Sequence, residues 1–345
     1  MNNLFVILLV ALSFGLLIVG HEFGHFIVAK MNGVKVEEFA IGMGPLVCKF
    51  KGKETMYSLR LLPIGGYVKM LGEYDDSDNE ISEEDKKRAY IFKHPLRKIS
   101  IILAGPVMNF ILAFIIFWGL NIFEGYNSTI IGEFVDGSPA QNAGLEVGDE
   151  IIALNSKKFL NWSDFVFELQ NVKNKETINI KVLRNNQEME FNINPEINGN
   201  SIIIGIKPKF IENAGFFESI SNGFKETISE IKQVIGSLVY LITGKASFKD
   251  LGGPVTIFKV SGQAAKAGFA ELMNFTAFLS VNLGIFNLIP FPALDGGAVI
   301  VNSIELITRK RIKQEILAKI NYVGFTLLIL LMIFVTLKDI FFPIV

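Results

Sequence analysis

Two histidines four residues apart with a glutamate between them, His21-Glu22-Phe23-Gly24-His25, are the residues of this chain best suited to chemistry. On a helix, side chains at i and i+4 share a face. His21 and His25 can therefore offer two imidazole nitrogens to one metal while Glu22, a turn away, reaches a water held beside it. The chemistry this suggests is zinc-assisted hydrolysis. A catalytic zinc usually takes three protein ligands and a water, so one ligand is still to be found. The chain has only three histidines, and the third, His94, lies in Phe92-Lys93-His94-Pro95-Leu96-Arg97, a basic approach to an apolar run that suits an interfacial residue better. Among carboxylates, those inside or ending an apolar span are costly to place and functional by default. Apart from Glu22, the best such candidate is Asp295. It ends Asn287-Leu288-Ile289-Pro290-Phe291-Pro292-Ala293-Leu294-Asp295-Gly296-Gly297, where two prolines remove backbone donors and break a helix.

The elements that position these residues are written in the hydropathy. Of 345 residues, 50% are hydrophobic, 31 are Phe and only 19% are charged, with a mean hydropathy of +0.41. That composition predicts a multi-span α-helical membrane protein. Four runs can cross about 30 Å of hydrocarbon: a first helix within residues 1–30, then 99–123, 272–297 and 320–341. The motif closes the first run, and Asp295 closes the third. Met1-Asn2-Asn3 carries no basic residue and no small-residue cleavage pattern follows, which argues against a cleaved signal. A net charge of -1 gives no reason to expect a nucleic-acid partner, and the single Cys48 leaves the redox compartment open.

Basic residues suggest an orientation. Residues 30–98 carry 13 Lys or Arg and residues 295–319 carry 5, against 14 in the much longer stretch 124–271. The first two are expected inside, which places His21, His25 and Asp295 on one, cytoplasmic, side and the middle domain outside.

Between the spans, residues 34–72 alternate short apolar runs with Gly and Pro and read as a membrane-associated β-meander lying against the site. Residues 73–98 form a charged cytoplasmic loop. Residues 128–208 have soluble-domain character, and the run from Ser138 to Asn155 within it resembles a PDZ domain, a module that adds a peptide to a sheet edge. A small β-domain that only packs on the membrane core would also fit. In 215–243, Phe216, Phe217, Ile220, Phe224, Ile228, Ile231 and Ile235 recur at helical spacing, which fits an amphipathic helix near the outer face or one packed only on the β-domain.

Taken together, His-Glu-x-x-His in a first span, Asn-x-x-Pro-x-Pro-x-Leu-Asp-Gly in a third and a PDZ-like region between them resemble the site-2 protease family of intramembrane zinc metalloproteases, in its bacterial RseP/RasP-type group. The resemblance covers nearly the whole chain. It implies Zn2+ at His21, His25 and Asp295, with Glu22 as general base. Asn287 and the segment Ala104-Gly105-Pro106-Val107-Met108-Asn109 also match family motifs, so Asn109 and Asn287 are candidates for holding the substrate strand. Both could equally serve as helix–helix hydrogen-bonding residues. The resemblance further implies the bacterial inner membrane, and substrates that are single-span proteins already shortened outside, such as anti-sigma factors and remnant signal peptides. One PDZ copy departs from members with two. The competing readings are a membrane-anchored PDZ adaptor with a silent site, which loss of Glu22 or a ligand would have favoured, and a metal transporter. The spans hold too few ionisable residues for the latter.

Overall fold

The computed structural model describes residues 3–73, 82–172, 177–199, 201–244, 247 and 252–343. Residues 74–81 of the charged loop lie outside them. In chain order, α1 (Asn3–Met31) is followed by β1 (Val36–Lys51), β2 (Met56–Met70), the single turn α2 (Glu83–Lys86) and α3 (Pro95–Phe123). Then come β3 (Tyr126–Phe134), α4 (Pro139–Asn142), β4 (Glu150–Leu154), β5 (Lys157–Lys158), α5 (Trp162–Gln170), β6 (Ile178–Arg184), β7 (Gln187–Ile193), β8 (Glu196–Asn198), β9 (Ser201–Ile203) and β10 (Ile206–Ile211). Helices α6 (Phe216–Ile242), α7 (Pro254–Ala267), α8 (Phe269–Leu288), α9 (Asp295–Thr308) and α10 (Gln314–Phe341) complete it. Two compact units result, Met1–Ala113 with Leu238–Val345, and Phe114–Ser237.

Helices α1, α3, α8 and α10 are each long and apolar enough to cross a bilayer, and the chain is a membrane protein. Proline 95 opens α3, where its missing N–H costs nothing, but Pro106 lies inside it and leaves the Ile102 carbonyl without its helical donor. Close crossings depend on small residues: a Cβ on Gly24 of α1 would stand 2.8 Å from Met108 Cβ of α3, and one on Gly284 of α8 would stand 2.7 Å from the Phe110 ring. The apolar run expected to continue to residue 297 divides. Helix α8 stops at Leu288, the prolines at 290 and 292 forbid its continuation, and the chain starts again as α9 at Asp295.

Strands β1 and β2 are each folded back on themselves. Residues 36–41 pair on one side with 56–59 and on the other with 66–70, while 46–51 pair with the outer side of 56–60. The product is a four-segment sheet in the order 46–51, 56–60, 36–41, 66–70, in which the two outer pairs run antiparallel and 36–41 runs parallel to 56–59, so the chain does not follow the expected meander; its edges are 46–51 and 66–70. Its buried charge is satisfied internally: Glu38 accepts from Ser58 Oγ at 2.5 Å and from Arg60 Nη2 at 2.9 Å.

The second unit holds a six-stranded sheet in the order β10-β3-β4-β6-β7, with β5 on β4. Ile131, Ile151, Leu154, Phe165, Ile178 and Ile180 form its core. Part of the Ser138–Asn155 run is tied down electrostatically: Arg184 donates to Asp149 Oδ1 at 2.6 Å and Oδ2 at 2.7 Å, and the Glu146 amide donates to Oδ2 at 2.9 Å. Burial alone would raise the Asp149 carboxyl; these donors overcome it and hold the group below its ordinary value.

Helix α6 turns its polar side inward. Ser219, Gly223, Thr227 and Ser229 are buried, whereas Phe216, Phe217, Phe224, Val239 and Ile242 are exposed. Asn121 of α3 donates to Glu226 at 3.2 Å, and Ser229 donates to Asn161, the residue preceding α5, at 3.1 Å. Burial pushes the carboxyls of Glu226 and Glu230 up to about 7, in Glu230 with help from the Asp164 charge. Between the ordinary carboxyl value of 4.5 and about 7, the folded unit binds more protons than the unfolded chain. Its stability therefore falls as pH rises through that window and levels off above it. Hydrogen-exchange protection of α6, taken relative to the intrinsic exchange rate at each pH, is expected to be greater at pH 5 than at pH 8, and Glu226→Gln with Glu230→Gln should flatten the difference.

Candidate metal centre

Helix α1 places His21 and His25 one turn apart with their Nε2 atoms 3.2 Å from each other. Asp295, first residue of α9, brings Oδ2 to 3.2 Å from His21 Nε2 and 3.6 Å from His25 Nε2. Three ligands of a tetrahedral zinc with bonds of about 2.1 Å stand roughly 3.4 Å apart, so this triangle matches the ion. The oxygen is also buried with no hydrogen-bond donor. An anionic oxygen withheld from water and aimed between two imidazole nitrogens is costly unless a cation satisfies it. Among the described residues, His21, His25 and Asp295 form the one such ligand group.

The imidazoles are held from behind. His25 Nδ1 lies 2.8 Å from the Ile101 carbonyl, which can only accept, so Nδ1 carries the proton and Nε2 keeps its lone pair for a metal. His21 Nδ1 lies 3.1 Å from the amide of Asn109, a fully buried residue whose Oδ1 has no partner. Exchanging the two amide atoms, which have nearly the same shape, puts Oδ1 against a protonated Nδ1 and frees His21 Nε2 in the same way. Helix α8 steadies this point, since Ser280 Oγ donates to the Asn109 carbonyl at 2.7 Å.

Glu22 sits on α1 between the two histidines, and β2 comes directly over it: a Cβ on Gly66 would stand 2.9 Å from Glu22 Cγ. Gly105 of α3 plays the same part for the two histidines, because a Cβ there would stand 2.6 Å from His25 Cε1 and 2.8 Å from His21 Cε1. The sheet edge and α3 thus both press against the face of α1 that carries His21, Glu22 and His25.

Five of the seven residues weighed from the sequence come together here: His21, Glu22, His25, Asn109 and Asp295. Asn287 lies half-buried in the last turn of α8, outside this hydrogen-bonded group. His94 is exposed just before α3, where its Nδ1 accepts from the Leu96 amide at 3.3 Å. Sequence reasoning gave no role to Gly66 or the Ile101 carbonyl, and it noted Gly105 only as part of a matching family motif, without its steric role. A Gly-Pro pair inside an apolar span was the available signal for Gly105.

Comparison with known proteins decides the family. The sequence profile of peptidase family M50 matches residues 9–331. The chain belongs to peptidase family M50. A Clostridium acetobutylicum relative that carries a zinc metalloprotease name is 44% identical over 344 residues, covering 99% of both chains. Zinc metalloprotease RasP of Bacillus licheniformis is 32% identical over 99% of both chains, and regulator of sigma-W protease RasP of Bacillus subtilis is 32% identical over 95% of this chain and 96% of its own. This M50 member is a zinc metalloprotease, with Zn2+ as its cofactor.

Proposed function

We propose that this M50 enzyme hydrolyses peptide bonds within the transmembrane segments of single-span proteins, with zinc held by His21, His25 and Asp295. The observation that carries the reading is the ligand triangle at the end of an apolar helix, with a β-edge packed on its glutamate. Zinc bound there supplies a Lewis acid that polarises a carbonyl and brings the pKa of water toward about 7. Glu22 takes the proton of the attacking water and passes it to the leaving amine, so the acyl carbon gains the hydroxyl oxygen and the C–N bond breaks. Asn109 and Ile101 hold the imidazole orientation while Glu22 moves the proton.

A helical substrate keeps its carbonyls in internal hydrogen bonds and must unwind before attack. Among the described residues, 66–70 pair only with 36–41, which leaves an edge beside Glu22 on which an unwound strand can add. Asn287, at the end of α8, is a candidate to meet that strand. The β-rich unit is read as a PDZ domain on the extracytoplasmic side of a bacterial inner membrane, with the metal toward the cytoplasm. The exposed apolar side of α6 suits the outer bilayer interface. Together these would exclude proteins with bulky outer domains and favour shortened ones, such as anti-sigma factors and remnant signal peptides. The name of the Bacillus subtilis relative supports the former.

Purified protein incubated with a model single-span substrate should yield fragments whose new ends lie inside the span. Chelation should stop the reaction, and added zinc should restore it. Cleavage confined to segments outside the span would reject the intramembrane reading. Undiminished binding partners without any cleavage would instead favour a silent PDZ adaptor.

A further inference from the structure

Ala293 has φ 70°, the left-handed region that residues with a Cβ seldom occupy. It stands between Pro292, whose own φ is fixed by its ring, and Leu294, which leads into Asp295. An alanine strained in this way, two residues from a metal-ligand candidate, persists only where its surroundings hold it. The turn's own bonds fall on its neighbours: Leu294 N–H donates to the Phe291 carbonyl at 3.2 Å, and Gly297 N–H to the Leu294 carbonyl at 3.0 Å. The bond made by Ala293 itself comes from α10, where Asn321 Oδ1 accepts its N–H at 3.3 Å.

One turn further along α10, Gly324 lies against the same loop. A Cβ there would stand 2.6 Å from the Pro292 carbonyl oxygen and 2.8 Å from its carbonyl carbon. Most of α10 is uncovered by the protein: only 6% of its most apolar stretch is buried, and its buried residues are Gly324 and Asp339. Asp339 caps the start of α7, accepting from the Gly253 and Thr256 amides at 3.1 and 3.0 Å. Gly324 has no such cap to serve. Its burial is spent on the loop before Asp295.

We propose that α10 is a positioning element for the metal centre. Asn321 and Gly324 hold Ala293 in its left-handed conformation, and the turn set in this way aims the Asp295 carboxylate at His21 and His25. The inference rests on Asp295 being the third ligand. Without the Asn321 oxygen, Ala293 relaxes toward negative φ, and rotation at that residue swings the first turn of α9, moving the carboxylate away from the imidazoles. Asn321 acts only through the backbone.

The test is zinc affinity of the full chain in detergent, measured by competition with a chromophoric chelator, with the absorption spectrum of the cobalt-substituted protein as a report on ligand geometry. Asn321→Ala should bind zinc roughly tenfold more weakly, within the range of outer-shell effects, and shift the cobalt spectrum. Ala293→Gly added to Asn321→Ala should restore both, because glycine takes positive φ without strain. A general folding defect would gain nothing from that glycine. Asp295→Ala is the control for the ligand itself and should lose far more affinity than Asn321→Ala. Wild-type affinity in Asp295→Ala would remove the third-ligand assignment. A large loss in Asp295→Ala with wild-type affinity in Asn321→Ala, or a deficit that Ala293→Gly leaves uncorrected, would overturn the positioning role alone.

Discussion

Glu22→Gln is expected to cut cleavage of a single-span substrate roughly 10²–10⁴-fold while leaving one zinc bound per chain. Glutamine keeps the length, shape and packing of glutamate against Gly66, so neither α1 nor the sheet edge needs to move. The histidines, held by Ile101 and Asn109, are untouched. What the amide lacks is a basic oxygen to accept a proton from water and return it to the amine. A positioned general base is worth roughly 10²–10⁴ in rate, or about 3–5 kcal/mol of barrier. Turnover should fall by that factor, with zinc stoichiometry unchanged by elemental analysis. A variant that kept its full activity would show that the proton goes elsewhere. One that lost its zinc would show that Glu22 is structural.

The parts of this site that were legible in the sequence are those that depend on local spacing. His21 and His25 fall on one helical face because they are four apart. Asp295 stood out because a carboxylate after two prolines at the end of an apolar run has few other uses. Gly and Pro punctuation marked a β-rich segment between the first two spans, but not that 36–41 would sit between 56–59 and 66–70. What local pattern does not carry is which side of an element meets which partner. Apolar periodicity marked α6 as amphipathic, yet its polar side faces inward and its phenylalanines outward, which periodicity alone cannot distinguish. Asn109 entered through the family motif, as a candidate for holding the substrate strand, whereas its place behind His21 depends on a contact 88 positions away. Helix α7 went unread because its buried residues, Ser261 and Ala265, are small and weakly patterned, and its cap comes from Asp339, far along the chain.

Gly105→Ala should weaken zinc binding without changing any ligand. The added methyl would stand 2.6 Å from His25 Cε1 and 2.8 Å from His21 Cε1, where carbon atoms at rest stand about 3.5–4.0 Å apart. Relief would require a ring to rotate or the helices to separate. Rotation breaks the His25 bond to Ile101 or the His21 contact with Asn109. Separation is opposed at Gly24, where α1 crosses α3 closely enough that even a Cβ would be 2.7 Å from the Ala104 carbonyl carbon. The imidazoles are the softer side, so the ligand triangle opens. Zinc affinity is expected to fall by roughly 100-fold, the upper end of what losing ligand orientation costs. Gly119→Ala is the matched comparison: the same change on the same helix, at a position with nothing within 4 Å of the new methyl. There alanine should be tolerated and even favour the helix by about 1 kcal/mol, with zinc retained. If both variants bound zinc alike, α3 would not be the wall that shapes the metal-binding face of α1. If only Gly105→Ala bound it more weakly, the family match at Ala104-Gly105-Pro106 would have a steric cause, the room that two imidazoles need to converge.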